Sequence, residues 1–248
     1  MMPEMLHISA VWQVIVIFLS GSSVFSFLNV VIYRVPRHMD IIKAPSRCEA
    51  CGHTLSFPEM FPVFGWFVLR GRCRYCKATV SVRYPAIEAL GGCAALLCVF
   101  RWEISVQALI IFGFLAVLTA TAFIDIDTMK IPDGFVLAAG AVGALSIPFF
   151  PVPDLTERLI GICSVSMILL VFALILPGGF GGGDIKMTAA CGLFLGWKQS
   201  LTAFVLAVLF AGCYCIFMLS VRKLKRRSKI AFGAFLCFGM AVTLFLVP

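Results

Sequence analysis

Residues 178–186 read Gly-Gly-Phe-Gly-Gly-Gly-Asp-Ile-Lys and separate two apolar runs, 159–176 and 187–197. Glycine lets the backbone adopt conformations and close approaches that other residues avoid, so a glycine run ending in an acid marks a specialised segment. An ionisable residue at the edge of a membrane-like run more often serves function than packing. Asp184 is therefore the first candidate functional residue, and we look for a second acid with which it could do chemistry.

The composition predicts that most of the chain lies in lipid. Hydrophobic residues make up 61% and charged residues 13% of the 248 residues, and the mean hydropathy is +1.04; a soluble domain carries about 25% charged residues. Because Glu4 and no Lys or Arg precedes the first apolar run, we interpret that run as a permanent helix rather than a cleaved signal peptide. We predict an all-α polytopic membrane protein with about eight transmembrane helices, in the runs 8–33, 86–100, 105–124, 134–150, 159–176, 187–197, 201–221 and 230–247.

The basic residues predict the orientation, because short cytoplasmic loops retain Lys and Arg. With the N-terminus outside, all Lys and Arg except Arg101, Arg158 and Lys198 fall in the inside segments 34–85, 125–133, 177–186 and 222–229. The net charge of +8 is then spread over loops that face an anionic leaflet. We therefore expect a lipid bilayer as the partner of these charges, and no nucleic acid.

Only one predicted loop, residues 34–85, is long enough to form a domain. It contains Cys48, Cys51, Cys73 and Cys76 as two C-x-x-C pairs, a spacing typical of a zinc ribbon whose four thiolates close a structural site. Two disulfides are the alternative, but disulfides rarely persist in the reducing cytosol. The expected organisation is a first helix over 1–33, a cytoplasmic four-cysteine zinc-binding loop over 34–85, and a multi-helix membrane domain over 86–248.

Two further acids, Asp125 and Asp127, stand where the third apolar run stops. In the predicted topology this end and Asp184 lie at the same, cytoplasmic, face of the bilayer. Two carboxylates brought together suggest general acid and base chemistry on water, as in aspartic proteases. An interfacial helix cap or salt bridge is the competing interpretation, and we prefer it for Asp127 and Asp133.

An ordered set of motifs resembles the prepilin peptidases, also called type 4 leader peptidases. The resemblance extends from about residue 20 to residue 200 and keeps order, topology and approximate spacing. It implies a polytopic inner-membrane GxGD-type aspartyl protease that cleaves the basic leader of type IV prepilins or pseudopilins and then N-methylates the new N-terminal residue with S-adenosylmethionine. The motifs are the Phe-Leu-Asn segment 25–36, the two C-x-x-C pairs, Arg-Tyr-Pro at 83–85 with Glu88, Ile-Asp at 124–125 followed by Ile-Pro-Asp at 131–133, and Gly-Gly-Asp-Ile-Lys at 182–186.

The resemblance also assigns residues. It implies catalytic roles for Asp125 and Asp184, and it favours Asp125 over Asp127 because Asp125 precedes Pro132 by seven residues. The cysteine loop resembles the segment associated with methyl transfer in bifunctional members, while no S-adenosylmethionine site is visible in the sequence. The candidate substrate-binding residues are Gly181, Gly182, Gly183, Glu88 and Lys186.

Two alternatives to a bifunctional peptidase and methyltransferase are considered. Intramembrane carboxylates and a glycine-broken segment also occur in transporters, where an aspartate serves as a proton relay. Against this, we see no inverted repeat, and a four-cysteine loop has no obvious role in a small carrier. A peptidase without methyltransferase activity is the nearer alternative. The pilin substrate, the oligomeric state and the occupancy of the metal site are left open by the sequence.

Overall fold

The computed structural model describes residues 2–42, 45–176, 181–221 and 230–246, with backbone only for residues 2–10 and 57. The chain divides into two compact units, Met1–Phe112 and Gly113–Pro248. The boundary between the units falls inside the helix Val106–Thr128 and not in a loop. This boundary falls within the predicted membrane domain 86–248. The predicted division of the chain into 1–33, 34–85 and 86–248 stays a prediction.

The first unit is built on two helices that pack against each other, α1 (Met2–Arg34) and α3 (Arg83–Trp102). The short helix α2 (Phe64–Val68) lies in the segment of chain between them. Gly91 of α3 lies directly against the Phe25 side chain, and a β-carbon there would collide with it. Small residues at such contacts let apolar helices approach closely. Asn29 strengthens the pair, since its Nδ2 donates to the Tyr84 carbonyl oxygen at 3.2 Å.

The second unit is arranged around one long helical element with a kink. It contains most of α4 (Val106–Thr128), then α5 (Asp133–Ser146), α6 (Leu155–Ile175), α7 (Gly182–Ser220) and α8 (Phe232–Leu246). Helix α7 packs against α5, α6 and α8. Gly196 interrupts it with a left-handed φ of 69°, a value that glycine adopts at little cost. Because the backbone at Gly196 is not helical, α7 consists of two helices joined at this residue, and the apolar runs 187–197 and 201–221 lie on separate helical segments, as predicted.

The predicted all-α membrane class is confirmed. Each of the eight apolar runs overlaps an α-helix, and five helices in the described residues are long and apolar enough to cross a membrane. The shorter apolar helices α5 and α8 have 14 and 15 residues. The chain is a multi-pass membrane protein.

One buried cation ties the second unit together at the start of α6. Arg158 is 1% exposed, and its guanidinium donates to Ser146 Oγ at 2.7 Å, the Pro153 carbonyl at 2.9 Å and the Leu193 carbonyl at 3.0 Å. A buried charge is tolerated when hydrogen bonds replace its hydration. Arg158 thereby links the end of α5, the loop before α6 and the turn preceding the break in α7.

Candidate active site and metal centre

Asp125 and Asp184 lie on different helices and are both buried. Asp125 belongs to the last turn of α4 and is 5% exposed, while Asp184 belongs to the first turn of α7 and is 8% exposed. Helix α4 stops soon after Asp125, because Met129 takes a left-handed φ of 52° and Pro132 can only start the following helix. Helix α7 begins at the glycines, whose extended residue Gly181 is its N-cap.

The two carboxylates meet at a glycine of α8. A β-carbon placed on Gly233 would lie 2.7 Å from Asp184 Oδ1 and 2.8 Å from Asp125 Oδ2. Since both oxygens are that close to one point, they are at most about 5.5 Å apart, the sum of the two distances. Such a separation lets one water molecule hydrogen-bond to both carboxyl groups.

Backbone N–H groups hold each carboxylate in place. Ala234 donates to Asp125 Oδ2 at 3.1 Å, and Gly181 donates to Asp184 Oδ2 at 3.3 Å. Backbone donors at helix starts favour a negative charge. Each acid is therefore oriented by the first residues of a helix, α8 for Asp125 and α7 for Asp184.

The wall beside the acids is apolar and partly open. Ile131 contacts both glycine positions: a β-carbon on Gly183 would meet Ile131 Cβ at 2.9 Å, and one on Gly233 would meet Ile131 Cδ1 at 3.0 Å. A β-carbon on Gly182 would meet nothing within 4 Å. Within the described residues, Gly182 therefore has open space on its side-chain face. Residues 178–180 of the predicted glycine segment lie outside the described residues.

The structure separates the other candidate acids from the pair. Asp127 is exposed, so Asp125, and not Asp127, is the acid beside Asp184. Lys186 Nζ lies 2.9 Å from Asp133 Oδ1, and both side chains are exposed. Lys186 therefore pairs with Asp133, which is the salt bridge we preferred for Asp133 in the sequence.

Glu88 has a local partner in the first unit. Its Oε2 accepts from the Val63 backbone N–H at 2.7 Å, and Val63 itself has a φ of 62°, a strained value for a β-branched residue. Glu88 thus holds the entry to α2 in place. A role in substrate binding stays a prediction for this residue.

The four predicted metal ligands come together. The sulfur atoms of Cys48, Cys51, Cys73 and Cys76 all lie within 4.8 Å of one another, and Cys48 Sγ is 3.8 Å from Cys76 Sγ. A tetrahedral zinc site with Zn–S bonds of about 2.3 Å has sulfurs about 3.8 Å apart. All four are free thiols, so the alternative of two disulfides is wrong, and the cluster can bind a metal ion.

The two C-x-x-C segments have the same local fold. In the first, Cys48 N–H donates to the His53 carbonyl at 2.8 Å; in the second, Cys73 N–H donates to the Ala78 carbonyl at 2.8 Å. A β-bridge closes each turn, Arg47 with Thr54 and Arg72 with Thr79. The equivalent left-handed positions are Gly52, with a φ of 70°, and Lys77, with a φ of 59°. The loop therefore contains two knuckles of one design, which fit a structural tetrahedral ion.

His53 is not one of the ligands. Its ring contacts that of Tyr75 at a tilt of 40°, with centroids 3.7 Å apart, and its Nε2 is 3.9 Å from Glu59 Oε2.

A basic cavity of about 430 Å³ adjoins the metal ligands. Leu69, Arg70, Arg72, Cys73, Arg74 and Lys77 line it. The four positively charged side chains of this lining would repel the positively charged sulfonium of S-adenosylmethionine. A second cavity, of about 310 Å³ between α1, α3 and α4, has an apolar lining without a charged residue to bind an amino-acid group. Neither lining fits that cofactor.

Sequence reasoning missed the contribution of α8. Ala234 reaches Asp125 across 109 positions of sequence, and no motif distinguishes the preceding Gly233 from the other glycines. A signal did exist: the predicted topology starts the last apolar run at the same face as both acids. Only the packing of α8 on α7 adds the contact itself.

Comparisons with known proteins agree with this geometry. The profile of the bacterial peptidase A24 N-terminal domain matches residues 19–102, and that of the type IV leader peptidase family matches residues 109–216. These matches follow the two compact units closely. Both acids of the pair lie in the second matched segment.

Curated relatives are similar over nearly the whole chain. A protein of Pseudomonas putida named prepilin leader peptidase/N-methyltransferase is 32% identical, over 88% of this chain and 85% of its own. Relatives with the same name are 30% identical in Bacillus subtilis, over 90% of each chain, and 34% identical in Burkholderia pseudomallei, over 91% of this chain and 82% of theirs. No solved structure matches. The chain thus belongs to the type IV leader peptidase family.

Proposed function

We propose that this protein cleaves the basic leader peptide from type IV prepilins or pseudopilins with the Asp125–Asp184 pair, and N-methylates the new N-terminal residue. The observation that carries the proposal is the buried approach of the two carboxylates, at most about 5.5 Å apart, from two helices. The relatives' names support both activities.

The pair supports hydrolysis of a peptide bond by water. Two carboxyl groups this close and away from solvent share one proton, because two negative charges there repel each other. The ionised group takes a proton from the water, whose oxygen attacks the scissile carbonyl carbon. The protonated group gives its proton to the amide nitrogen as the C–N bond breaks. The products are a new carboxylate on the leader and a new amino group on the pilin.

The proposed substrate path uses the glycines before Asp184. The unobstructed position at Gly182 and the N-cap at Gly181 give an extended peptide room to approach. Gly183 lies against Ile131 and so belongs to the wall of the path. Glu88 and Lys186 are weaker substrate-binding candidates, since each already has a partner.

The proposed orientation places the acids at the cytoplasmic face of the bacterial inner membrane. The distribution of Lys and Arg supports it, and a prepilin with an apolar stem in the membrane and a basic leader in the cytosol meets the enzyme at that interface. The basic cavity beside the cysteines repels such a leader, so the leader follows another route.

The four cysteines are proposed to bind Zn²⁺. A closed four-thiolate site leaves no position for substrate, and the ion would stabilise the loop between α1 and α3 rather than take part in catalysis. Methyl transfer from S-adenosylmethionine is proposed on the relatives' names and on the presence of this loop, and no residue is assigned to it.

A direct test incubates membranes containing the protein with a purified type IV prepilin. Wild-type protein should shorten the prepilin by its leader, while Asp125→Asn and Asp184→Asn should each reduce cleavage by about 10³-fold or more, as expected for members of a catalytic unit. Insertion of each variant is checked by its yield in the membrane fraction. Full processing by either variant would remove that residue from the mechanism, and an inactive wild type would contradict the proposed activity.

A further inference from the structure

Gly233 lies between the two aspartates but comes from a helix far along the chain. It is the second residue of α8, and its Cα faces Asp125 Oδ2 and Asp184 Oδ1 together. We propose that Gly233 is a positioning residue for the catalytic pair: its lack of a side chain sets the separation of the two carboxylates. This inference rests on the proposed function, since it assumes that the pair performs the hydrolysis.

Space, and not backbone conformation, explains the glycine. The glycines with left-handed φ values are Gly52, Gly71 and Gly196, so within the described residues Gly233 has a backbone that any residue can adopt. Glycine near a helix start also lacks the helix propensity of alanine, a difference of up to about 1 kcal/mol. Local preference therefore favours alanine at this position, and the aspartates are what exclude it.

A single added methyl group would disturb both acids at once. The β-carbon of alanine would stand 2.7 Å from one carboxylate oxygen, 2.8 Å from the other and 3.0 Å from Ile131 Cδ1. Carbon and oxygen atoms in ordinary contact are separated by more than about 3 Å. The carboxylates must therefore turn away or move apart, and the site of the shared water is lost.

The same turn of α8 also orients one of the acids. Ala234, the residue after Gly233, donates its N–H to Asp125 Oδ2 at 3.1 Å. Moving α8 outward to accommodate a methyl group would lengthen this bond. Either response, displacement of the carboxylates or of the helix, changes the geometry of the pair without changing an aspartate.

The test compares three Gly→Ala variants of the full-length protein. Gly233→Ala should lower kcat for prepilin cleavage by about 100-fold or more, with KM within threefold of wild type, because a small misplacement of reacting groups is costly. Gly239→Ala, on the same helix, would press on the backbone of Ala203 and disturb α7–α8 packing away from the acids. Gly212→Ala meets nothing within 4 Å and is the neutral control.

The readouts separate positioning from folding. Gly239→Ala should lower the thermal midpoint more than Gly233→Ala, yet keep cleavage per folded molecule near the wild-type rate. Methylation of an already cleaved pilin should persist in Gly233→Ala. Near-wild-type kcat in Gly233→Ala, or an equal loss of kcat in Gly239→Ala, would overturn the inference.

Parallel assays distinguish this outcome from a failure of the proposed function. If Asp125→Asn still cleaves, the assignment of the pair fails; if it is inactive while Gly233→Ala is active, only the role of Gly233 fails. Should Gly233→Ala not accumulate, Ile131→Ala gives the methyl group room on one side. The double variant should then cleave at least tenfold more slowly than Ile131→Ala alone, and equal rates would overturn the inference.

Discussion

Asp125 and Asp184 come from helices separated in sequence by α5 and α6, yet their carboxylates approach within about 5.5 Å at the amino end of α8. Three helix ends therefore build one site: the end of α4 and the starts of α7 and α8. Any variant that shifts one of these ends should change catalysis, while neighbouring acids outside this junction should be dispensable.

Removal of the neighbouring acids tests this selectivity. Asp127→Asn should keep at least half of the wild-type cleavage rate, because Asp127 is exposed and is not beside Asp184. Asp133→Asn breaks only the exposed pair with Lys186, worth at most about 1 kcal/mol. The measurement is the initial rate on a purified prepilin per inserted protein. Loss of cleavage in Asp127→Asn with an active Asp125→Asn would reverse the assignment.

The glycines before Asp184 should respond unequally to alanine. Gly183→Ala brings a β-carbon within 2.9 Å of Ile131 Cβ, whereas Gly182→Ala meets nothing within 4 Å. We expect Gly183→Ala to reduce kcat by about tenfold or more, since it displaces the start of α7 that carries Asp184. Gly182→Ala, on the proposed peptide path, should raise KM and keep kcat within about threefold of wild type. Steady-state rates on the same prepilin measure both. Equal effects would show that space at Gly183 does not set the position of Asp184.

Loss of the metal should affect methyl transfer and the loop, not the aspartate pair. Cys48→Ser with Cys73→Ser removes one thiolate from each knuckle, so the purified protein should lose its zinc by elemental analysis. Transfer of label from methyl-labelled S-adenosylmethionine should fall to background. Prepilin cleavage by folded protein should persist, because both acids lie in the second unit. Undiminished methylation without metal would reject a role for the knuckles.

The equivalent turn positions of the two knuckles predict opposite effects. Lys77 has a left-handed φ of 59°, so Lys77→Gly should remove about 1 kcal/mol of backbone strain. Gly52 has a φ of 70°, so Gly52→Ala should add about 1 kcal/mol of strain. Metal release to a chelator should become roughly fivefold slower in Lys77→Gly and faster in Gly52→Ala. The Gly52 change adds no collision, since nothing lies within 4 Å of its β-carbon. Faster release from Lys77→Gly would contradict the equivalence.

Replacing the buried Arg158 should lower the thermal stability of the protein. Arg158→Gln leaves buried acceptors at Ser146, Pro153 and Leu193 without their donor, at about 1–3 kcal/mol for each unsatisfied group. We expect a fall in the thermal midpoint of the detergent-solubilised protein, and a much smaller one for the exposed Arg101→Gln. Similar midpoints for the two variants would show that water replaces the guanidinium in the second unit.

Local patterns predicted the helices and the ligands. Apolar runs long enough for a bilayer became α-helices, and the C-x-x-C spacing placed four sulfurs around one point. These features depend on neighbours in sequence. Gly196 follows the same rule, because its left-handed φ of 69° divides α7 into the two helical segments that the apolar runs predicted.

The candidate active site depends on contacts between distant residues, and the sequence alone does not show which residues make them. Asp125 and Asp127 differ by two positions, about 200° around a helix, and only packing decides which one turns inward. The resemblance to a known family selected Asp125, and the burial of that residue agrees with the choice. Gly233 had no such guide, since its role exists only once α8 lies against the start of α7.

The division of the chain near residue 112 has an evolutionary consequence. Both aspartates, Ile131 and Gly233 lie in Gly113–Pro248, while the four cysteines lie in Met1–Phe112. Because the boundary falls inside α4, which carries Asp125, a deletion or fusion at residue 112 would cut a helix of the proteolytic site. The cysteine knuckles between α1 and α3 can instead be shortened or replaced in a lineage without removing any residue of the aspartate pair.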